Sequence, residues 1–258
     1  MIRLTFLLRR KAELSPEAFS RYWLEEHGPL VASHARHLNI LRYVQVHTLD
    51  DPMNAAMARA RGGMEAPYDG VAELWFENRE AIVTAFETAA GQGAAAALLE
   101  DEARFIDLPN SPLWLAHEYP QVNPTPENLV ARERDTVVKF YYPLRCYTHH
   151  KEADAQRDWH TNHGPLIRRQ AAGSGILRYV QVHRTPDELE GQLREARGVA
   201  VEGYMGHAEL WFDRSALQIA TPERQLAGQR AIEDERRFID FQRSCLWLSK
   251  EHVLVDRR

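Results

Sequence analysis

Several things are scarce in this sequence, and each scarcity removes a class of function. Only two cysteines occur, Cys146 and Cys245, too few for a disulfide framework and in keeping with a reducing compartment. No run reaches the roughly 18 consecutive apolar residues of a membrane helix. The opening MIRLTFLLRRK has the wrong order and length for a secretory signal, so a cytoplasmic location is expected. No basic stretch alternates with aromatics, and the net charge is −5, so neither nucleic acid nor a membrane is an expected partner. A Gly-x-Ser-x-Gly elbow and a phosphate-cradling glycine loop are both missing. His149, His150, His160 and His163 are close in sequence, but no cysteine or carboxylate set completes a ligand group. No metal and no cofactor are expected.

What remains is an ordinary globular composition, 44% apolar and 27% charged over 258 residues, and one strong feature: the chain is written twice. HGPL at His27 returns at His163, an offset of 136. ILRYVQVH at 40–47 is identical to 176–183, and AELWF at 72–76 to 208–212, at the same offset. After a three-residue deletion EDEARFID (100–107) matches EDERRFID (233–240), and all six tryptophans fall into pairs. Self-similarity of this kind marks duplication and fusion. The repeats are placed at 1–119 and 137–258, with a proline-bearing polar linker at 120–136.

Each repeat reads as strand, helix, two strands, helix, strand. The first strand lies in 3–8 and again in 137–144. Ser15 as N-cap and Pro16 at the first helical position open the first helix. Phe19, Trp23 and His27 share one face of that helix, and Gly28-Pro29 reads as its stop. A stop there would put His27 among free carbonyls. A second, alanine-rich helix is expected over about 78–104, and a closing strand over 111–118. The order βαββαβ is ferredoxin-like, an α+β class with antiparallel sheets.

Alternation along the middle strands sets Tyr43, Gln45 and His47 against Val44 and Val46, and Glu73 and Trp75 against Ala72, Leu74 and Phe76. The polar set either meets solvent or lines an interior enclosed by two facing sheets. The aromatic rings among it, Trp75 and Trp211 with Tyr43 and Tyr179, favour enclosure. Inside a barrel Glu73 and Glu209 would need partners, with Arg9 or Arg145 as candidates.

FSRYWLEEHGPLV (19–31), LRYVQVH and DGVAELWF (69–76) together resemble the EthD domain family of the dimeric α+β barrel superfamily. The second copy is looser, with Ala155 for Phe19, Asp158 for Tyr22 and Met205 for Asp69. The resemblance implies two such folds joined as an internal pseudo-dimer, leaving further pairing of whole chains open. It also implies pockets between helix and sheet, and either cofactor-free chemistry on enolisable or aromatic compounds or an accessory role in a degradation pathway. Haem binding, with His27 as axial ligand, is the more remote alternative.

On this reading His27, Tyr43, Asp69 and His163 are the catalytic candidates: the histidines move a proton and Tyr43 polarises an oxygen. Asp69 assists as a base or a partner of His27, or is only a turn residue. Tyr22, Gln45, His47, Tyr68 and Trp75, with Tyr179, Gln181, His183 and Trp211, are the candidate binding residues. The expected chemistry is that of a lyase or isomerase on a small aromatic or enolisable cyclic compound, in a catabolic or polyketide-type pathway. The first repeat, which keeps Tyr22 and Asp69, is the expected competent one. The long segments 49–70 and 185–206 join the middle strands. Met53, Met57 and Met64 in the first suit a lid over an apolar ligand, or packing on the other repeat.

Overall fold

The computed structural model describes residues 1–124 and 129–258. In the first repeat the strands are β1 (Ile2–Leu8), β2 (Arg42–Thr48), β3 (Gly70–Phe76) and β4 (Leu113–Val122). The second has β5 (Val137–Leu144), β6 (Ile176–Arg184), β7 (Gly206–Asp213) and β8 (Trp247–Asp256). They are rich in β-branched and aromatic residues, which fit a pleated surface. All eight close into one barrel in the order β1-β3-β2-β8-β5-β7-β6-β4, and every pairing is antiparallel. β4 pairs with β1 of its own repeat and crosses to β6 of the other; β8 does the same from β5 to β2. Closure leaves no sheet edge. β4 runs on through residues expected in the linker, and residues 125–128 of that linker lie outside the described ones.

Helices cover the outside. In the first repeat α1 (Pro16–Tyr22) starts at Ser15, whose hydroxyl accepts from the Ala18 amide, as the sequence predicts. The expected stop at Gly28-Pro29 does not occur. The helix widens into a π turn over Trp23–His27 and runs on as α2 (Gly28–His34). Proline is tolerated here because it opens the next helical segment, where its missing N–H costs little. Gly28 answers to packing: a Cβ there would run into Leu254 and lie 3.1 Å from Gln45 Nε2. α3 (Pro52–Ala60) lies between β2 and β3. The alanine-rich segment makes two helices, α4 (Arg79–Glu87) and α5 (Ala89–Phe105), bent by 98°. Thr88 makes the corner, its hydroxyl capping the Gly91 amide. The second repeat carries α6 (Glu152–Asp158), a π turn at Trp159–His163, α7 (Gly164–Ser174), α8 (Glu188–Arg197), α9 (Arg214–Leu217) and α10 (Pro222–Glu235). Among the described residues no single helix is long and apolar enough to cross a membrane.

Three cores result. Two lie between helices and sheet, one per repeat; the third fills the barrel with Val44, Val46, Trp75, Trp114, Val180, Val182, Trp211 and Trp247. Among these apolar side chains sits a buried ionic cluster. Arg3 bonds Glu73 and Glu209, and Lys139 reaches Glu73 at 2.9 Å, Glu209 at 3.1 Å and Glu251 at 3.1 Å. The partners of Glu73 and Glu209 are therefore Arg3 and Lys139. Arg9 instead stacks over Tyr68 and Arg145 binds Glu65. Burial, with the neighbouring Glu209 charge, pushes Glu73 up to about 8. Burial acts against ionised Glu209 too, but Arg3 and Lys139 hold it well below the usual carboxylate range.

Candidate functional site

His27 stands on the π turn, buried at 5% exposure, on the inner face shared with Phe19 and Trp23. Such turns insert one residue and re-aim the side chains around them. Its Nδ1 is 2.8 Å from Asp101 Oδ2 on α5, and the other oxygen of Asp101 accepts the Tyr22 hydroxyl at 2.6 Å. A carboxylate accepts, so in the neutral ring the proton sits on Nδ1 and Nε2 keeps its lone pair. Among the described residues nothing bonds that Nε2. The second repeat repeats the pair, with His163 Nδ1 2.8 Å from Asp234 Oδ2. There Asp158 replaces Tyr22, and Arg237 bridges Asp158 and Asp234. The hydrogen bond from His163 holds the Asp234 carboxyl below its usual range.

Tyr43 faces the same space. Its oxygen accepts from Trp23 Nε1 at 3.1 Å and from Gln45 Nε2 at 3.0 Å. Gln45 Nε2 also donates to the Trp23 carbonyl at 2.7 Å, which fixes the amide orientation. Gln45 Oε1 is then left to accept from His47 Nε2 at 2.9 Å, and His47 Nδ1 accepts from the Ser20 hydroxyl at 2.6 Å. Ser20, His47 and Gln45 thus form a relay that locks the Tyr43 oxygen. Both of its accepting directions are filled and its own proton has no acceptor among the described residues. Burial pushes the phenol's pKa upward, so it stays a donor. Burial also pushes His47 down to about 3, which keeps the relay neutral. Tyr179, Gln181 and His183 reproduce this arrangement with Trp159.

His27 and Tyr43 line one cavity of about 320 Å³ between sheet and helices, otherwise walled by side chains such as Phe6, Leu74, Phe76, Ile82 and Leu98. His163 and Tyr179 line its counterpart of about 230 Å³. The first lies in the range of small-molecule sites, and both are apolar spaces with a few convergent polar groups. A glutamate and an arginine pair across each wall, and in the second cavity Arg224 also lines the wall, donating to the carbonyls of Ser174, Ala216 and Ile219. Glu102 takes Arg197 through two bonds of 2.8 and 2.9 Å, and in the other cavity Glu235 takes Arg61 at 2.9 and 3.1 Å.

The remaining candidates lie elsewhere. Asp69 binds the side chain and backbone amide of Arg10, not His27, because it sits at the mouth of β3 beside the end of β1. Tyr68 is in the barrel interior against Tyr204 and Arg9. Trp75 and Trp211 are also interior, donating to Glu118 at 2.7 Å and Glu251 at 2.8 Å. Tyr43, Gln45 and His47 do not share that interior with Glu73 and Trp75. Val44 is the residue opposite Glu73, so Val44 and Val46 point inward and the polar set faces the helices. The same holds for Tyr179, Gln181 and His183, since Val180 is opposite Glu209. Asp101, Glu102, Asp234 and Glu235 were missed as site residues, although they lie in the repeated EDEARFID and EDERRFID. Glu73, His207 and Glu209 lie close enough together to share an ion, but Arg3 and Lys139 already occupy those carboxylates.

Among solved structures the fold is similar to that of an anthrone oxidase-like protein, at TM-score 0.59 and 11% identity over 100% of this chain and 94% of that one. It is also similar to that of a monooxygenase-like protein of Fusobacterium nucleatum, at TM-score 0.52 and 7% identity over 98% and 93%. An EthD family protein of Bacillus halodurans matches at TM-score 0.32 and 18% identity over 46% of this chain and 99% of that one. No match is found among curated proteins. A sequence model of the EthD domain matches residues 11–109 and again 148–242, one match in each repeat, and the chain belongs to the EthD domain family.

Proposed function

We propose that the first cavity moves a proton on a small, uncharged, enolisable or phenolic ring compound without a cofactor. The observation that carries this reading is the meeting, in one apolar space, of a histidine oriented by a carboxylate and a locked phenol with an unused proton. His27 Nε2 takes a proton from a carbon beside a carbonyl, or joined to it by conjugation through the ring as in anthrone, and the C–H electrons move into the conjugated system toward the oxygen. Tyr43 donates to the carbonyl oxygen, where negative charge develops. Return of the proton to another carbon is isomerisation; departure of a leaving group is a lyase reaction. Asp101 keeps His27 in the accepting tautomer and steadies the cation that forms. Tyr22, absent from the second repeat, ties Asp101 in place and favours the first cavity.

Anthrone, an aromatic ketone with an acidic C–H, is a suitable probe. The exchange of that hydrogen for deuterium is followed by NMR under nitrogen, because its enolate reacts with oxygen. His27→Ala is expected to lower the exchange rate about 10²–10⁴-fold, with His163→Ala keeping most of it. Exchange that survives both substitutions in folded protein refutes the scheme. Anthrone bound without exchange by the native chain supports a binding or accessory role instead.

A further inference from the structure

α3 and α8 are the helical parts of the long segments joining the middle strands, and each lies over the cavity of the other repeat. Leu189, Leu193 and Arg197 of α8 line the cavity of His27, and both leucines belong to the core of the first repeat. Met53, Met57 and, just beyond α3, Arg61 line the cavity of His163, and the two methionines pack on the core of the second. The two triplets have the same spacing, one residue per turn of one helix face, and are related by the offset of 136.

Each helix is tied to the opposite repeat at both ends. At the start of α8 the capping Asp187 binds Arg79 at 2.7 Å, and at its end Arg197 binds Glu102. At the start of α3 the capping Asp51 binds Arg214 at 2.5 Å, and at its end Arg61 binds Glu235. Glu102 and Glu235 directly follow the aspartates that hold His27 and His163. One helix end in each repeat therefore orients its own histidine and anchors the other repeat's lid.

We propose that the opposite repeat supplies the lid of each cavity and so sets which ring compound that cavity accepts. The identification of the ligands as uncharged ring compounds rests on the function proposed above. It agrees with the wall of the His27 cavity, where Glu102 neutralises Arg197; in the His163 cavity Glu235 neutralises Arg61, and Arg224 is held by the carbonyls of Ser174, Ala216 and Ile219. The lids differ. Leu189 and Leu193 are buried branched side chains, whereas no residue of α3 is fully buried and its lining positions are unbranched methionines. The cavity of His27 is the selective one and that of His163 the adaptable one.

The test uses the full chain labelled with ¹⁵N-histidine, with His27 and His163 signals assigned from the alanine variants, and anthrone and 2-naphthol as probes. Leu193→Trp, a change in the second repeat, is expected to move the His27 signal before any probe is added. It should also abolish the response of His27 to anthrone while that of His163 persists; Met57→Trp should do the reverse. Should either tryptophan variant fail to fold, the volume-conserving Leu189→Met/Leu193→Met variant serves. It is expected to change the anthrone-to-naphthol affinity ratio about fivefold at His27 alone, a difference of about 1 kcal/mol. Effects confined to the histidine of the mutated repeat, an unchanged ratio, or no shift at either histidine with either probe would each overturn the proposal. A crossed response without deuterium exchange would leave the lids standing and remove the proton-transfer reading; exchange without a crossed response would do the opposite.

Discussion

Replacing Tyr43 by phenylalanine removes one oxygen from a site where its three hydrogen-bond directions have different jobs. Two of them accept, from Trp23 Nε1 and Gln45 Nε2. Gln45 keeps the Trp23 carbonyl as acceptor, but the fully buried indole N–H of Trp23 loses the one partner it has among the described residues. An unsatisfied buried donor costs about 1–3 kcal/mol, a fall in Tm of roughly 2–12 °C at about 2–4 °C per kcal/mol for a chain of this size. The third direction is the unused donor, which the proposed scheme gives to the ligand oxygen. Loss of one such donor is expected to slow deuterium exchange of anthrone about 10²–10³-fold, or roughly 3–4 kcal/mol of transition-state stabilisation. Tyr179→Phe makes the same structural loss in the other cavity, orphaning Trp159 Nε1. It should show a similar thermal shift and little change in exchange. Thermal unfolding read beside exchange per folded chain separates the two effects. A Tyr43→Phe protein that melts early but exchanges within about threefold of the native rate would show that Tyr43 only holds Trp23. An equal loss of exchange in Tyr179→Phe would refute the assignment of the chemistry to the first repeat.

Stability should fall with acid well above the carboxylate range. Burial lowers His47, His183 and His207 to about 3, so the unfolded chain binds these protons below its ordinary histidine pKa of about 6.5 and the folded chain does not. Stability from these groups is complete above that pH and is lost as pH falls toward about 3. Glu73, raised to about 8, offsets one proton, leaving about two, or about 3 kcal/mol per pH unit near pH 5. Urea midpoints at pH 7, 6 and 5 check this, and a flat profile contradicts the burial argument. Arg197→Met leaves Glu102 buried and unpaired and should cost about 3–5 kcal/mol, read from urea unfolding. Adding Glu102→Gln should return a large part of that loss, and no recovery would mean that Arg197 acts through packing alone.

The duplication, the βαββαβ order and the closed barrel were legible because they rest on identities at a constant offset and on strand-length patterns. The faces of β2 were not. Period-2 alternation separates Tyr43, Gln45 and His47 from Val44 and Val46, but does not say which set meets the helices. Taking polar side chains to point away from helices works for Glu73 and Trp75 and fails one strand over, because Gln45 and His47 satisfy each other under Trp23. Only the pairing of Val44 with Glu73 decides the matter, and register is not written in either strand alone. The end of the first helix was misread for a similar reason: Gly28 is small because Gln45 and Leu254 come close, and both are distant in sequence. The partner of His27 was likewise sought nearby at Asp69, while tertiary packing brings Asp101 from the second helix.

The second copy supplies a check within the chain. Across the offset the repeats have drifted apart on the first helix, where Tyr22 becomes Asp158, at the barrel mouth, where Asp69 becomes Met205, and inside the barrel, where Val71 becomes His207. The groups around each cavity have not drifted in the same way. The histidine, its aspartate, the tyrosine, the glutamine and second histidine behind it, and the glutamate with its arginine from the other repeat recur with nearly equal distances. Duplication alone explains why a residue occurs twice. It does not explain why the glutamate–arginine pairs cross from one repeat to the other in both directions. A pair that crosses needs both repeats at once, so either repeat alone would hold a histidine and a tyrosine in a cavity open where the other repeat's helix should lie. The unit that closes both cavities is thus the fused chain, and its two cavities share each other's walls.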